Sequence, residues 1–286
     1  MFDCNRGECS EIPRNEVATV KELSFFVSLL VILAGPIKAD VTVLGGLTHE
    51  ITAEPGDRID GAIEFANNGD ETAYVDIYQT DYLFFADGRT IYGDPGSNPR
   101  SNAPWISYGT SRVAIPANGT AAASYEMIVP DSIQLSGSYW SVVMIEPVSD
   151  VSDPSSREKA GEVSVGVRTI VRYAVQIITN IGDSGNSSIE VTDNKLVTDN
   201  GSTFLQLDIE NNGECWLSPS VWTDLYGNDG TYVGRFESGR KRVFPGCSVR
   251  HHLDLTGVAN GYYTALMIVD NGDDRVFGAN YEVRLE

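Results

Sequence analysis

Ser184 lies in Gly182-Asp183-Ser184-Gly185, a setting that suits an acyl-transfer nucleophile only if a histidine oriented by a carboxylate can take its proton. No Ala-His-Cys segment precedes it to supply that base, so the tetrapeptide reads as turn chemistry. Histidine is scarce: His49, His251 and His252 are the whole supply. The adjacent pair points to opposite faces if Ser248–Leu255 is a strand, which divides it between core and surface and argues against a shared metal ion. Asp224-Leu225-Tyr226-Gly227-Asn228-Asp229-Gly230 has a loose likeness to a calcium loop. Tyr226 fills a position that needs an oxygen ligand, and no glutamate closes the loop, so a solvated hairpin tip is the expectation there and at Asp270–Asp274. Abundant carboxylates lie close together by accident, and no pair stands out for glycoside hydrolysis. No nucleophile–base pair is visible, and neither an enzyme activity, a cofactor nor a metal site is expected.

Four tryptophans offer a different chemistry, stacking on sugars or partners. Trp140 sits in a nearly continuous apolar strand and reads as core. Trp105 follows Asn102-Ala103-Pro104 in a long loop, Gly93–Pro104, and either anchors that loop to its own domain or meets a partner. Tyr82, Phe84, Phe85 and Tyr92 are its expected neighbours.

The elements that must position these residues are strands. After Asp40 almost every segment is a short β-branched or aromatic run closed by Gly, Pro, Asn or Asp, and none keeps a helical period for three turns. Strands are expected at Ile59–Phe65, Ala73–Tyr82, Ala121–Val129, Tyr139–Ile145, Glu162–Thr179, Thr203–Ile209, Ser248–Leu255, Tyr262–Asp270 and Arg275–Leu285. Their order repeats. Ile63-Glu64-Phe65-Ala66-Asn67-Asn68-Gly69 returns as Leu207-Asp208-Ile209-Glu210-Asn211-Asn212-Gly213, and Ile115-Pro116 is echoed by Phe244-Pro245. Gly137-Ser138-Tyr139-Trp140 through Ile145 returns as Asn260-Gly261-Tyr262-Tyr263 through Ile268. Two copies of one sandwich explain this agreement in order and content, which makes the chain all-β with two tandem immunoglobulin-like domains. The Gly/Ser/Asn stretch Asn180–Ser188 places them at 40–181 and 187–286. Tyr139 and Tyr262 are the expected corner tyrosines, whose hydroxyls satisfy backbone at a turn.

The 286 residues carry 40 acidic and 20 basic side chains, a net charge of −20, which repels phosphate backbones and anionic lipid and argues against nucleic-acid binding. Leu23–Ala34 is the one long apolar run, too short to span a bilayer, and is followed by a helix-breaking Gly35-Pro36. Residues 1–39 therefore read as a signal or leader segment cut between Ala39 and Asp40, with an uncleaved anchor as the alternative. Residues 1–19 lack the usual basic start, and Val20-Lys21-Glu22 is a second possible beginning. The mature chain is expected in the periplasm or outside the cell, without stable membrane insertion. Its two remaining cysteines, Cys215 and Cys247, are then expected to form one disulfide.

Two tandem immunoglobulin-like domains behind a signal sequence, the first ending in a strand as long as Glu162–Thr179, resemble the periplasmic chaperones of pilus assembly. The resemblance implies that this strand is lent to an incomplete secreted subunit, with Val163, Val165, Val167 and Val171 offering alternating apolar side chains and backbone completing the subunit's open edge. It also implies two basic residues that grip the subunit's terminal carboxylate. Arg168 or Arg172 suits the later position; the first strand, Val41–Ile51, holds no Arg or Lys, and Arg58 is the nearest substitute. The partner so implied is a secreted or surface protein subunit. A cell-surface adhesion module that binds glycan through Trp105 is the alternative.

Overall fold

The computed structural model describes residues 41–148, 171–272 and 276–286. The expected leader segment, Val163, Val165, Val167 and Arg168 lie outside them.

Ten strands build the first half: β1 (Val41–Leu44), β2 (Thr48–Ala53), β3 (Arg58–Asn67), β4 (Ala73–Phe84), β5 (Thr90–Gly93), β6 (Ile106–Tyr108), β7 (Arg112–Ile115), β8 (Thr120–Ile128), β9 (Gly137–Pro147) and β10 (Tyr173–Ile181). They form one sheet in the order β1-β3-β8-β6 and a second in the order β2-β10-β9-β4-β5, with β7 also on β4. Seven more build the second half: β11 (Ile189–Asp199), β12 (Ser202–Asn211), β13 (Ser220–Gly227), β14 (Tyr232–Ser238), β15 (Ser248–Asp254), β16 (Gly261–Asp270) and β17 (Val276–Leu285). Their sheets run β11-β12-β15 and β14-β13-β16-β17. The fold is therefore all-β, two tandem immunoglobulin-like sandwiches. The one helical element among the described residues is a single 3-10 turn, Ala103–Trp105.

Period-two alternation explains the layers. In β3, Ile63 and Phe65 turn into the first core with Val75 and Ile77 of β4, Met127 of β8, and Val143 and Ile145 of β9. In β12, Leu205, Leu207 and Ile209 do the same for the second, with Leu225, Leu253 and Met267. β9 is apolar on both faces for a reason. Val143 and Ile145 face the first core, while Trp140 is 1% exposed and packs into the second sandwich's cluster.

The repeated Asn-Asn-Gly turns do one job twice. Asn67 Nδ2 donates to the carbonyls of Glu71, Ile115 and Pro116, and its Oδ1 accepts from Gly69 N at 2.9 Å. Asn211 Nδ2 donates to the carbonyls of Cys215 and Val243, and its Oδ1 accepts from Gly213 N at 2.9 Å. Each buried amide ties the end of its strand to the segment that crosses beneath it.

Two expectations are corrected. Cys215 and Cys247 are free thiols, with no disulfide between them. Their backbone carbonyls both bond to Asn211, but Cys215 Sγ is turned to the Ser184 carbonyl at 3.3 Å, while Cys247 is wholly buried in the second core. The corner tyrosine of the second sandwich is Tyr263, whose hydroxyl donates to Ala259 O at 2.6 Å; Tyr262 is exposed, under the Arg284 guanidinium.

Candidate functional site

The first sandwich's second sheet has an edge that is only partly closed. β2 runs parallel to β10, in register from Gln176↔Thr48 to Ile181↔Ala53, and Gln176 N donates to Leu47 O at 2.9 Å. Upstream of Leu47 the chain crosses to the other sheet through Gly45-Gly46, and β1 pairs with β3 instead. Gly45 takes φ +78°, a conformation that favours glycine, and a side chain there would meet open space. Backbone alternation points the N–H and C=O of Ala174 the same way as those of Gln176. No strand lies beside Ala174 on that side among the described residues, although its other neighbour, β9, pairs with β10 all the way from Tyr173 to Ile181.

The outer face beside this opening is concave and of mixed polarity. Val142 of β9 is in register with Thr80 and Gln176, and Met144 with Tyr78 and Ala174. A concavity of about 210 Å³ lies here, floored by Val142 and Ala174, walled by Tyr82 and Tyr92, and rimmed by Leu47, Thr48 and Gln176. Tyr82 and Tyr92 are 5.3 Å apart, and burial raises the Tyr82 hydroxyl above its usual range. Arg172, just before β10, forms an ion pair with Glu146 at 2.7 Å, and Val171 is exposed.

The concavity abuts the junction of the sandwiches, which is closely packed. Trp140 stacks on Phe244 at 4.7 Å, Phe84 meets Phe244 edge-on at 6.1 Å, and the Trp140 indole N–H donates to Tyr82 O at 2.8 Å. Polar contacts frame this apolar seam. Glu50 of β2 accepts from Asn180 and from the Trp216 indole, and lies 3.6 Å from Arg242, whose guanidinium covers the Trp216 ring at 4.3 Å. Glu214 receives Arg100 at 3.1 Å and Ser136 at 3.0 Å. The Ser136 hydroxyl, the Asn186 amide and Arg100 hold its carboxyl below the usual range. Gly137, at φ +69°, must be glycine here, because a Cβ would fall 2.3 Å from the Glu214 carbonyl to which Ser138 N bonds.

The other residues singled out from the sequence lie apart from this site. Arg58 pairs with Glu126 at 2.8 Å on the opposite sheet. Trp105 packs against Tyr139 in a tilted contact at 4.7 Å, and its loop folds inward around a buried acid: Asp81 accepts from Ser101, Ser97, Asn98 N and Gly96 N, while Asn102 Nδ2 donates to Ile177 O. The expected neighbours Tyr82, Phe84 and Tyr92 instead form a separate aromatic row, and Phe85 lies under Arg89. The 3-10 turn carries Trp105 to the Tyr139 end of β9, away from that row. Ser184 Oγ donates to Ile181 O and accepts from Gly137 N, so its hydroxyl is engaged in the turn. Asp224 is held by both arms of Arg235, at 2.8 and 2.7 Å, so its carboxylate is already engaged. Glu50, Arg242 and Glu214 carried no sequence signal, since isolated charges acquire meaning only when the sandwiches meet.

Fold and site together define a two-sandwich protein with, among the described residues, a half-open strand edge beside a concavity lined by aromatic and aliphatic side chains with Thr48 and Gln176 at its rim. No family model matches the sequence, and no curated protein matches it. Solved structures to which it is similar include a chaperone–tip adhesin complex of CFA/I fimbriae, at 13% identity and TM-score 0.47, covering 86% of this chain and 100% of that one. The class 5 fimbriae chaperone CfaA is similar at 13% identity and TM-score 0.45, with the same coverage. The chaperone–tip adhesion subunit complex of the archaic Csu pili of Acinetobacter baumannii is similar at 13% identity and TM-score 0.42, covering 84% of this chain and 97% of that one.

Proposed function

We propose that the protein is an exported, non-enzymatic chaperone that captures a secreted protein subunit by β-strand addition at the upstream part of β10. The observation that carries this reading is the ending of the β2–β10 ladder at Gln176, which leaves the Ala174 amide and carbonyl without a strand partner on one side among the described residues, while β9 pairs with the strand on the other. An unpaired edge on a well-packed sheet is a template for a further strand. The alternation of Val163, Val165 and Val167 ahead of Val171 extends the same chemistry upstream, and Leu23–Ala34 directs the chain to the periplasm or beyond.

Arg172 is the described candidate for gripping a carboxylate, since it stands at the opening and Arg58 does not. Glu146 already pairs with it, so an incoming carboxylate must exchange for Glu146.

The test is co-purification with a co-expressed pilin-type subunit whose own sandwich lacks one strand. Ala174→Pro removes the outward N–H but no bond of the β9 ladder, because proline is tolerated on an edge. It is expected to leave the urea midpoint close to wild type and to abolish capture, as is Val165→Lys. Capture by both variants at the wild-type level refutes the proposal.

A further inference from the structure

The concavity next to Ala174 exposes large apolar groups. Leu47 is 47% and Tyr92 56% exposed at its rim, while Val142 on its floor is buried. Resting on the strand-capture reading, we infer that this pocket selects the captured strand by receiving one bulky apolar side chain, the residue that pairs opposite Ala174.

The register commits the occupant. A strand added at Ala174 lies in line with β2, and β2 places Thr48 on the outer face opposite Gln176. Two residues upstream, at Ala174, the partner's side chain must also point outward, over the floor made by Ala174 and Val142 and against Leu47. Ala174 is the small residue that leaves the space, and Gly45-Gly46 keeps the approach clear of side chains. The volume of about 210 Å³ is generous for one aromatic ring or branched aliphatic chain, since an apolar cavity of about 150 Å³ holds benzene. Lining carbon from Leu47, Val142 and Ala174 suits a leucine or phenylalanine, and the ring faces of Tyr82 and Tyr92 suit either. Among the described residues no lysine, arginine or carboxylate lines the pocket, so a charged side chain would lose its water without gaining a partner there.

The experiment uses ten-residue peptides of alternating Thr and Val, acetylated and amidated so that no terminal charge contributes. One central Thr is replaced by Ala, Leu or Phe, and binding to the full chain is read by fluorescence anisotropy. The Leu and Phe peptides are expected to bind about tenfold to a hundredfold more tightly than the Ala peptide, as burial of one such side chain implies. Ala174→Leu fills the pocket from its floor and is expected to bring all three peptides to the affinity of the Ala peptide. Thr48→Leu fills it from the rim and serves if the first variant does not reach the wild-type urea midpoint. Equal affinity of the three peptides for the wild type overturns the inference and leaves strand capture standing. A Leu preference that survives both filling variants also overturns it. Failure of every peptide to bind refutes strand capture and the pocket together. A concentration-dependent dimer that Ala174→Leu abolishes assigns the pocket to a second copy of the chain and overturns the inference.

Discussion

Replacing Asn211 with Ala removes a side chain that is 0% exposed and makes three hydrogen bonds: Nδ2 to Cys215 O at 2.8 Å, Nδ2 to Val243 O at 3.0 Å, and Gly213 N to Oδ1 at 2.9 Å. Val243 O keeps a second donor, Leu217 N, so its loss is softened; the Cys215 carbonyl and the Gly213 amide lose the side-chain partner outright. Leaving a buried backbone group unpaired costs about 1–3 kcal/mol, so the variant should lose about 2–4 kcal/mol in all. Asn67→Ala should cost a similar amount, because Glu71 O and Gly69 N lose their side-chain partner while Pro116 O keeps Gly119 N. Asn211→Asp should be no better than Ala, since a carboxylate turns an acceptor toward two carbonyls. Urea unfolding followed by tryptophan fluorescence measures each loss, with Trp105 and Trp140 in the first sandwich and Trp216 and Trp222 in the second. A loss below about 1 kcal/mol at either asparagine would refute the claim that the repeated turn works as a buried lock.

Acid should weaken the second sandwich through His251, which is 0% exposed, has no partner at Nε2 among the described residues, and meets Ser238 through Nδ1. Burial, with Lys241 and His252 adding to it, pushes its pKa from 6.5 down to about 4. Because the folded value is depressed, the unfolded chain binds the extra proton first; this contribution is present above pH 6.5 and falls away between pH 6.5 and about 4. The loss amounts to about 3 kcal/mol at the lower limit, and His251→Gln should flatten the urea midpoint across that window. A wild-type midpoint as steep as that of the variant would disprove the assignment. Reductant should leave thermal and urea stability unchanged, as Cys215 and Cys247 are free; a clear drop in the midpoint would reveal a bridge.

The repeat and its turns were legible because their chemistry is local. Asn67 and Asn211 bond to backbone that the same few residues bring near, and the apolar alternation of β3, β8 and β16 reports one buried face. β11, β13 and β14 were not legible. β11 is an edge strand, much of it exposed and with a register shift between Val191 and Asp193, so no alternation survives in its composition. The disulfide failed for a related reason: two cysteines in one domain satisfy a count, while their thiols face Ser184 O on one side and the buried core on the other. The tyrosine corner slipped by one residue because Tyr262 and Tyr263 are both tyrosine, and only the inward-facing one reaches Ala259. The site itself depends on pairings such as Gln176 with Thr48, more than a hundred residues apart, and periodicity names a face but not a partner.

The two sandwiches share one plan and differ where the opening forms. In the second, β11 stays with β12 from Ile189 to Asp199 and never crosses to β17. In the first, the equivalent chain divides into β1 and β2, and the crossing at Gly45-Gly46 fixes how far the edge of β10 is covered. A later crossing would bare the strand down to the packed seam at Trp140 and Phe244, and an earlier one would close the edge at Ala174 and fill the concavity. The seam in turn ties the outer face to the second sandwich, since Trp140 stacks on Phe244 and Glu50 is bonded to Arg242 and Trp216. The glycine crossing thus sets how much of the β10 backbone β2 covers, and the concavity beside that edge abuts the packed junction.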